Sequence, residues 1–176
     1  MTGYWTSDKA LNAMGMINAG LFSSNTGKWN TPKPLLEKLY TEFDFDLDPC
    51  SDSKENPNVK ARIHYTEEDD GLSQAWFGVV YMNPPYGREI GKWVYLAATC
   101  NAKTVVCLLP ARTDTRWWQD NVPGAPFVVF IRGRLRFGNA TNSAPFPSAI
   151  VVFGEINSEQ KKLLSGLGWA VEKREE

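Results

Sequence analysis

The tetrapeptide Asn83-Pro84-Pro85-Tyr86 combines residue types that suit one chemical task, holding a planar ring by its exocyclic amino group. It follows an apolar run, Trp76–Met82, which predicts a buried strand. The two prolines lack backbone N–H groups and fix their own φ, so they end the strand and stiffen its exit. The Asn83 amide oxygen and the Pro84 carbonyl accept hydrogen bonds from an –NH2, and Tyr86 offers a stacking face worth about 1–3 kcal/mol for a nucleobase. An ordinary proline turn explains these four residues equally well on spacing alone.

Periodicity elsewhere predicts the elements that would position this tetrapeptide. Thr31-Pro32 predicts a helix start, with Thr31 at the N-cap and Pro32 at the first helical position. Strands alternate with helices from residue 29 to about 121, which predicts a mostly parallel sheet covered by helices. The later strands are closer together and indicate an antiparallel edge, followed by a last helix over 158–167.

Three polar segments follow predicted parallel strands: Asp48–Ser51, Asn83–Tyr86 and Pro110–Arg112. The carboxyl ends of parallel strands meet at one edge of a sheet, and ligands of such sheets bind there. We therefore expect the tetrapeptide to have polar neighbours from two other strands.

Length and composition bound the class of protein. The chain has 176 residues, which predicts an N-terminal arm over 1–28, where no periodicity is sustained, and one domain over 29–176. No apolar run is long enough to span a membrane and no signal-peptide pattern is present, so the cytoplasm is the expected compartment. Three cysteines without a CxxC pair and a single histidine argue against a disulfide framework or a metal site.

The formal net charge is -1, so any contact with nucleic acid requires a local basic patch. Arg132, Arg134 and Arg136 alternate, and on a strand they would share one face. Such a face suits DNA phosphates or a guanine edge, but a charged edge strand that resists aggregation has the same pattern. Arg112 and Arg116 lie near the predicted rim and would contact phosphate or pair with carboxylates.

Seven segments together carry a resemblance that covers most of the chain from Leu21 to Phe153. They are LFSSNTGKWNTP (21–32), FDLDPCSD (45–52), YTEEDDGLSQAW (65–76), NPPYGREIGKW (83–93), LLPARTDTRWW (108–118), GRLRFG (133–138) and APFPSAIVVF (144–153). With these segments the chain resembles the phage and prophage DNA N6-adenine methyltransferases, a Dam-like family that uses S-adenosylmethionine. The resemblance implies a Rossmann-like methyltransferase fold. If the protein is phage-encoded, it also implies a place in the host bacterial cytoplasm and a role in shielding phage DNA from restriction.

The resemblance also implies roles for particular residues. Asn83, Pro84, Pro85 and Tyr86 would form the catalytic motif, acting on an adenine flipped out of double-stranded DNA. Because the sulfonium of the cofactor is a good leaving group, positioning supplies most of the rate and no strong base is needed. The cofactor residues implied are Thr31, Pro32, Asp48, Pro49, Asp69 and Asp70, although Glu67–Asp70 also fits a solvated acidic turn. The arginines above would contact DNA, and no metal is implied.

The chain departs from the family's pattern after the first strand. The usual glycine-rich loop is absent, and Ser51-Asp52-Ser53 stands in its place. The stretch from Asp48 to Asp69 is too short for a full helix and strand. We therefore expect an abbreviated cofactor pocket.

Other functions remain open at the level of sequence. The tetrapeptide would equally serve methylation of cytosine N4, of a protein glutamine or of RNA. Pro49-Cys50 raises the alternative of C5-cytosine methylation through a thiol nucleophile. Cys50, however, follows the first predicted strand and not the strand that leads to Asn83–Tyr86. The abbreviated pocket raises a DNA-binding module that has lost catalysis.

Overall fold

A seven-stranded mixed sheet forms the centre of the computed structural model, which describes residues 29–173. The strands are β1 (Phe45–Asp48), β2 (Ala61–His64), β3 (Val79–Met82), β4 (Thr104–Pro110), β5 (Phe127–Ile131), β6 (Ser148–Gly154) and β7 (Gly168–Glu172). Their order across the sheet is β2-β1-β3-β4-β6-β5-β7. The first four strands in this order are parallel, whereas β6 is antiparallel to β4 and β5, and β7 is antiparallel to β5. The predicted α/β sheet with an antiparallel edge is confirmed, and the predicted arm over 1–28 lies outside the described residues.

Helices cover both faces of the sheet. They are α1 (Lys33–Leu39), α2 (Ile90–Thr99), α3 (Arg116–Asn121) and α4 (Ser158–Ser165). The buried side chains of α1 and α4 join one apolar cluster, and those of α2 and α3 join a second cluster on the opposite face. The result is a three-layer α/β/α arrangement, in which each helix buries one apolar stripe against the sheet.

Strand β3 shows how the period of two places side chains on opposite faces. Val80 and Met82 lie in the cluster under α2, whereas Tyr81 lies in the cluster under α1. All three side chains are fully buried. The hydroxyl of Tyr81 is therefore enclosed on the α1 side, where it needs a hydrogen-bond partner.

The connection from β1 to β2 contains no helix, although the two strands are parallel. Residues 49–60 form an irregular loop, and β2 has only four residues. The loop stays close to the sheet because Ser51 N donates to Tyr65 O and Tyr65 N donates to Asp48 O, both at 2.9 Å. The predicted abbreviation of this region is confirmed.

Two predicted element boundaries are wrong. Helix α1 begins at Lys33, with Pro32 at the N-cap position, and no side chain caps it. Thr31 is not the cap because its hydroxyl is bonded inside the protein. The predicted strand over Trp76–Met82 is also too long, since only Val79–Met82 is extended and Gly78 before it has φ of 64°.

The prediction that Arg132, Arg134 and Arg136 lie on a strand is also wrong. Strand β5 ends at Ile131, and Arg132–Arg136 form a loop in which Gly133 has φ of 78°. A left-handed glycine breaks the pleat, so alternation in the sequence does not place these side chains on one strand face. The last helix also ends earlier than predicted, at Ser165, and β7, which the sequence analysis missed, follows it.

Candidate active site

The amide of Asn83 is held in one orientation just beyond the end of β3. Its Nδ2 donates to the backbone carbonyl of Trp29 at 2.5 Å and to Oγ1 of Thr31 at 3.1 Å. A backbone carbonyl can only accept, so the nitrogen of the amide must face Trp29. The amide oxygen, Oδ1, is then left buried without a hydrogen-bond partner among the described residues.

Thr31 supports this orientation from inside the core. It is 1% exposed, and its Oγ1 lies 2.8 Å from the hydroxyl of Tyr81. The hydroxyl of Thr31 thus links the buried phenol to the amide of Asn83. The family resemblance implies a cofactor contact for Thr31, and the structure places it on the cavity wall with its hydroxyl bonded to Tyr81 and Asn83. Tyr81 was missed, although its place in an apolar strand marks it as a buried phenol that needs a partner.

The two prolines and Tyr86 surround the amide differently. Pro84 is buried and Pro85 is exposed, and both line a cavity at the carboxyl ends of β1 and β3. Tyr86 lies behind them, with its hydroxyl donating to Leu108 O at 3.2 Å. Burial raises the pKa of this phenol well above its usual value, so it is a neutral donor.

An aromatic cluster encloses the ring of Tyr86. Trp29 lies nearly parallel to it, with centroids 6.4 Å apart and an interplanar angle of 21°. Phe137 and Phe146 meet it edge-on at 6.1 and 5.5 Å. Trp29 also lines the cavity, as does Trp93, so the cavity that the Asn83 amide borders has aromatic residues in its wall. Trp29 is not among the site residues predicted from the sequence.

The cavity has a volume of about 370 Å³ and gathers residues from several separate segments of the chain. Asp48 is the last residue of β1 and Pro49 follows it, Asp70 belongs to the acidic turn, and Asn83 follows β3. The predicted convergence of the first and second polar segments is confirmed by this shared lining. Pro32 and Asp69 do not line this cavity, and neither does Arg112 of the third segment.

Asp48 is the most perturbed carboxyl group of the cavity. It is 3% exposed, and burial raises its pKa from 3.8 to about 6. The backbone N–H of Cys50, which donates to its Oδ1 at 3.2 Å, opposes this rise, as does the nearby His64. The side chain of Ser51 also lowers this pKa. A buried carboxylate whose pKa stays raised despite these donors favours an additional cationic partner.

The carboxylates of the acidic turn have two different environments, since Asp69 is bonded within the protein and Asp70 lines the cavity. Asp69 accepts from Thr66 N at 2.8 Å and from Lys54 Nζ at 2.6 Å, and these bonds, with that from Lys54 the largest influence, lower its pKa to about 2. Asp70 is exposed at the cavity and has φ of 51°. Glu67 also lines the cavity, although it is not among the predicted cofactor residues. Its place in the acidic run Glu67–Asp70 was the available signal in the sequence.

Gly71 fixes the acidic turn against the end of β1. A Cβ at this position would lie 2.0 Å from the carbonyl oxygen of Pro49 and 3.2 Å from the ring of Trp93. The carbonyl of Gly71 in turn accepts from the indole nitrogen of Trp76 at 2.8 Å. Only a residue without a side chain lets the turn approach β1 this closely.

Cys50 lies on the cavity wall but is poorly suited to nucleophilic attack. Burial raises the pKa of its thiol well above the usual value, and the nearby carboxylate of Asp48 raises it further. The thiolate is the reactive form of cysteine, so this environment suppresses it. The geometry gives no support to C5-cytosine chemistry through Pro49-Cys50.

The five predicted DNA-contacting arginines fall into two groups. Arg132, Arg134 and Arg136 are exposed and line a second concavity beside the cavity. Arg112 is half-buried in the loop after β4, and Arg116 is 94% exposed on α3 beside Asp120. Neither Arg112 nor Arg116 lines either concavity, and the role of all five stays a prediction.

Residues 29–173 lack two further kinds of structural feature. No helix in this range is long and apolar enough to cross a membrane. Nor do these residues contain a group of three or more His, Cys, Asp or Glu side chains arranged to hold a metal ion.

A half-parallel sheet covered by helices on both faces, with a polar cavity at the carboxyl ends of β1 and β3, defines a methyltransferase-like α/β fold. The chain belongs to the DNA N-6-adenine-methyltransferase (Dam) family, whose model matches residues 19–167. Family membership supports methylation of adenine N6 in DNA as the general activity. A search of curated proteins gave no significant match.

Proposed function

We propose that this protein transfers a methyl group from S-adenosylmethionine to N6 of an adenine that is flipped out of double-stranded DNA at a specific site. The observation that carries the proposal is the buried, unpartnered Oδ1 of Asn83 in an amide that borders the cavity. An unpaired buried acceptor costs about 1–3 kcal/mol. An amino group that donates to Oδ1 removes this cost, so the site is built for a ligand with an exocyclic –NH2.

The residues around Asn83 explain how the amine would be held. Oδ1 of Asn83 and the carbonyl of Pro84 accept the two N–H bonds of adenine N6, which keeps its lone pair free for bond formation. The amide cannot rotate away because Trp29 and Thr31 hold its nitrogen. A fixed geometry of this kind lowers the barrier by positioning, since the entropy of alignment is lost before the reaction begins.

The charge of the cavity fits the proposed methyl donor. S-adenosylmethionine carries a positive sulfonium, which makes its methyl group electrophilic, and a positive α-ammonium group. The described residues that line the cavity include four carboxylates, from Asp48, Asp52, Glu67 and Asp70, and no lysine or arginine. A cavity of about 370 Å³ lies within the usual range for small-molecule sites. A cation of this size is therefore a suitable ligand, with Asp48 and Asp70 as the leading contacts.

The aromatic cluster supports base flipping. A base inside a duplex has its amino group paired and its faces stacked, so it reaches Asn83 only after extrusion. Trp29, which lines the cavity and lies nearly parallel to Tyr86, offers a replacement for the lost stacking at the cavity edge. Stacking of a base on an aromatic side chain contributes about 1–3 kcal/mol.

Two other functions are separated from this proposal by simple observations. A DNA-binding module without catalysis would show no binding of S-adenosylmethionine in calorimetry. A C5-cytosine methyltransferase using Cys50 would lose all activity in Cys50→Ser, whereas this proposal expects activity to be kept. Cytosine N4 presents the same kind of amino group to Asn83, so the product base must be identified directly.

The first experiment combines binding and transfer. The protein is titrated with S-adenosylmethionine and then incubated with unmethylated plasmid DNA and methyl donor tritiated in its methyl group. The proposal expects saturable binding and label that remains in the purified DNA. Saturable binding of S-adenosylmethionine without incorporation of label into the DNA would show that DNA is not the substrate.

A further inference from the structure

The second concavity is large and basic, and it adjoins the acidic cavity. Its volume is about 890 Å³. Five cationic side chains line it, and no described acidic residue does; the cations are Lys33, Lys38, Arg132, Arg134 and Arg136. We call this concavity the basic groove. Its lining excludes a cationic ligand and favours a polyanion.

The basic groove has two walls from distant parts of the chain. Lys33 and Lys38 come from α1, and the arginines come from the loop that follows β5. Gly138 N donates to Asn30 O at 2.8 Å, which ties this loop to the segment that begins α1. Both walls are therefore fixed relative to the segment whose Trp29 and Thr31 hold the amide of Asn83.

The cations of the basic groove are available for a ligand. Lys33 and Lys38 are exposed, as are the three arginines. None of the five forms an ion pair within 4.0 Å with a carboxylate of the part of the chain that the structure describes. By contrast, Lys54, Arg62 and Lys161 elsewhere on the surface lie 2.5 to 2.6 Å from carboxylates.

The basic groove and the acidic cavity share a wall. Asn30, Thr31 and Asn58 line both. A chain of phosphates in the groove would thus pass directly beside the site where a base meets Asn83. This segregation of charge matches a reaction between a cationic methyl donor and a polyanionic substrate.

We propose that the basic groove binds the phosphodiester backbone of DNA next to the target base, and that Lys33 and Lys38 of α1 each contact a phosphate. The proposal rests on the proposed function, because it takes DNA as the substrate. It adds a wall from α1 that the arginine pattern in the sequence did not indicate. The contacts are to phosphate, so they position the DNA without reading its sequence.

The test measures the salt dependence of binding to a duplex of arbitrary sequence, since phosphate contacts do not require the recognition site. Fluorescence anisotropy of a labelled 30-base-pair duplex is followed between about 50 and 200 mM salt, for the native protein and for Lys33→Gln/Lys38→Gln. Loss of two phosphate contacts should weaken binding by ~10-fold or more at the lower salt and reduce the slope of log K against log salt by nearly 2. Charge reversal in Lys33→Glu/Lys38→Glu should weaken binding further.

Lys103 and Lys173 supply the matched control. Lys103 precedes β4 and Lys173 follows the antiparallel β7, so both lie at the opposite edge of the sheet from the cavity. Lys103→Gln/Lys173→Gln removes the same charge and should leave the slope unchanged. The proposal would be overturned if the native protein, Lys33→Gln/Lys38→Gln and Lys103→Gln/Lys173→Gln all had the same slope. It would also be overturned if both Gln double variants lost DNA affinity equally.

The outcome is independent of catalysis. If the slopes for DNA binding change as expected but no methylated adenine forms, phosphate binding by the basic groove is supported and the proposed function is wrong. If N6-methyladenine forms and the slopes do not change, the proposed function is supported and phosphate binding by the basic groove is wrong.

Discussion

Asn83 Nδ2 lies 2.5 Å from the carbonyl oxygen of Trp29, a residue 54 positions earlier in the chain. This contact determines which atom of the amide is left for a ligand, because the carbonyl of Trp29 can only accept. The segment before α1 therefore acts on the motif after β3 through hydrogen bonding. The unpartnered Oδ1 of Asn83 is the consequence, and it is the atom on which the proposed chemistry depends.

Replacing Asn83 with alanine should abolish methyl transfer and leave the affinity for S-adenosylmethionine nearly unchanged. The amide oxygen contacts the amine, whereas the acidic lining that suits the cofactor comes from other residues. Steady-state transfer assays and calorimetry on the same preparation check this. A variant that loses cofactor affinity while keeping the native kcat would contradict the assignment.

Replacing Thr31 with valine should lower kcat by more than tenfold with a smaller effect on the KM for cofactor. The substitution keeps the volume but removes the hydroxyl between Asn83 and the buried Tyr81, leaving the phenol unpaired at a cost of about 1–3 kcal/mol in the free energy of unfolding. Thr31→Ser restores the hydroxyl and should restore kcat.

Tyr81→Phe is the control for the Thr31 prediction. It removes the same core hydrogen bond but keeps the bond from Asn83 Nδ2 to Thr31. The variant should lose stability while retaining most of the native kcat. If both variants lose kcat equally, the role of Thr31 is structural and not one of positioning Asn83.

The sequence was sufficient to predict the α/β sheet and the meeting of two polar segments, but not the hydrogen bonds that orient Asn83. Alternating strands and helices predicted the sheet, and the polar residues after β1 and β3 were correctly expected to meet. The partners of Asn83 could not be predicted, because they come from an irregular segment whose path depends on tertiary packing. Thr31 resembled a helix cap for the same reason, since a local pattern cannot show a bond to a residue 50 positions away.

The arginine loop shows a second limit of sequence patterns. Alternation of Arg132, Arg134 and Arg136 favoured a strand, but Gly133 adopts a left-handed conformation that ends the pleat. The side chains nevertheless line one groove, because the loop is anchored to α1's leading segment. Edge strand β7 was missed because its pattern is weak, with Trp169 and Val171 exposed.

Replacing Asp48 with asparagine should stabilise the protein without cofactor at pH 8 and have no stabilising effect near pH 4. Because burial raises the pKa of this carboxyl from 3.8 to about 6, the folded state prefers it protonated. Its contribution to stability is present below about pH 4 and is lost as pH rises through about 6. The loss is on the order of 3 kcal/mol, or roughly 5–10 °C in Tm for a chain of this size.

Calorimetric melts of the native protein and Asp48→Asn across pH 4–8 measure this difference. The same variant should bind S-adenosylmethionine more weakly at pH 8, because the cationic ligand loses its buried counter-charge. Native affinity should likewise fall as pH drops through about 6. A gain in stability that is the same at pH 4 and pH 8 would contradict an ionised Asp48 at neutral pH.

Replacing Gly71 with alanine should destabilise the fold and weaken cofactor binding together. The new Cβ would lie 2.0 Å from Pro49 O, a backbone atom that cannot move aside without shifting the end of β1. Strain of this kind costs about 1–3 kcal/mol or more. Thermal melting of Gly71→Ala should therefore occur several degrees below that of the native protein.

Gly87→Ala is the control for this effect, since nothing lies within 4 Å of a Cβ placed there. Its free energy of unfolding should stay within about 0.5 kcal/mol of the native value. Similar losses in the two variants would show that close approach of the acidic turn to β1 is not what makes Gly71 necessary.

The identity of the methylated base tests the central claim most directly. Unmethylated plasmid DNA is incubated with the protein and S-adenosylmethionine, digested to nucleosides and analysed by liquid chromatography with mass spectrometry, with Asn83→Ala run in parallel. The account predicts N6-methyladenine with the native protein and none with Asn83→Ala. N4-methylcytosine as the only product, or no methylated base although the cofactor binds, would contradict it.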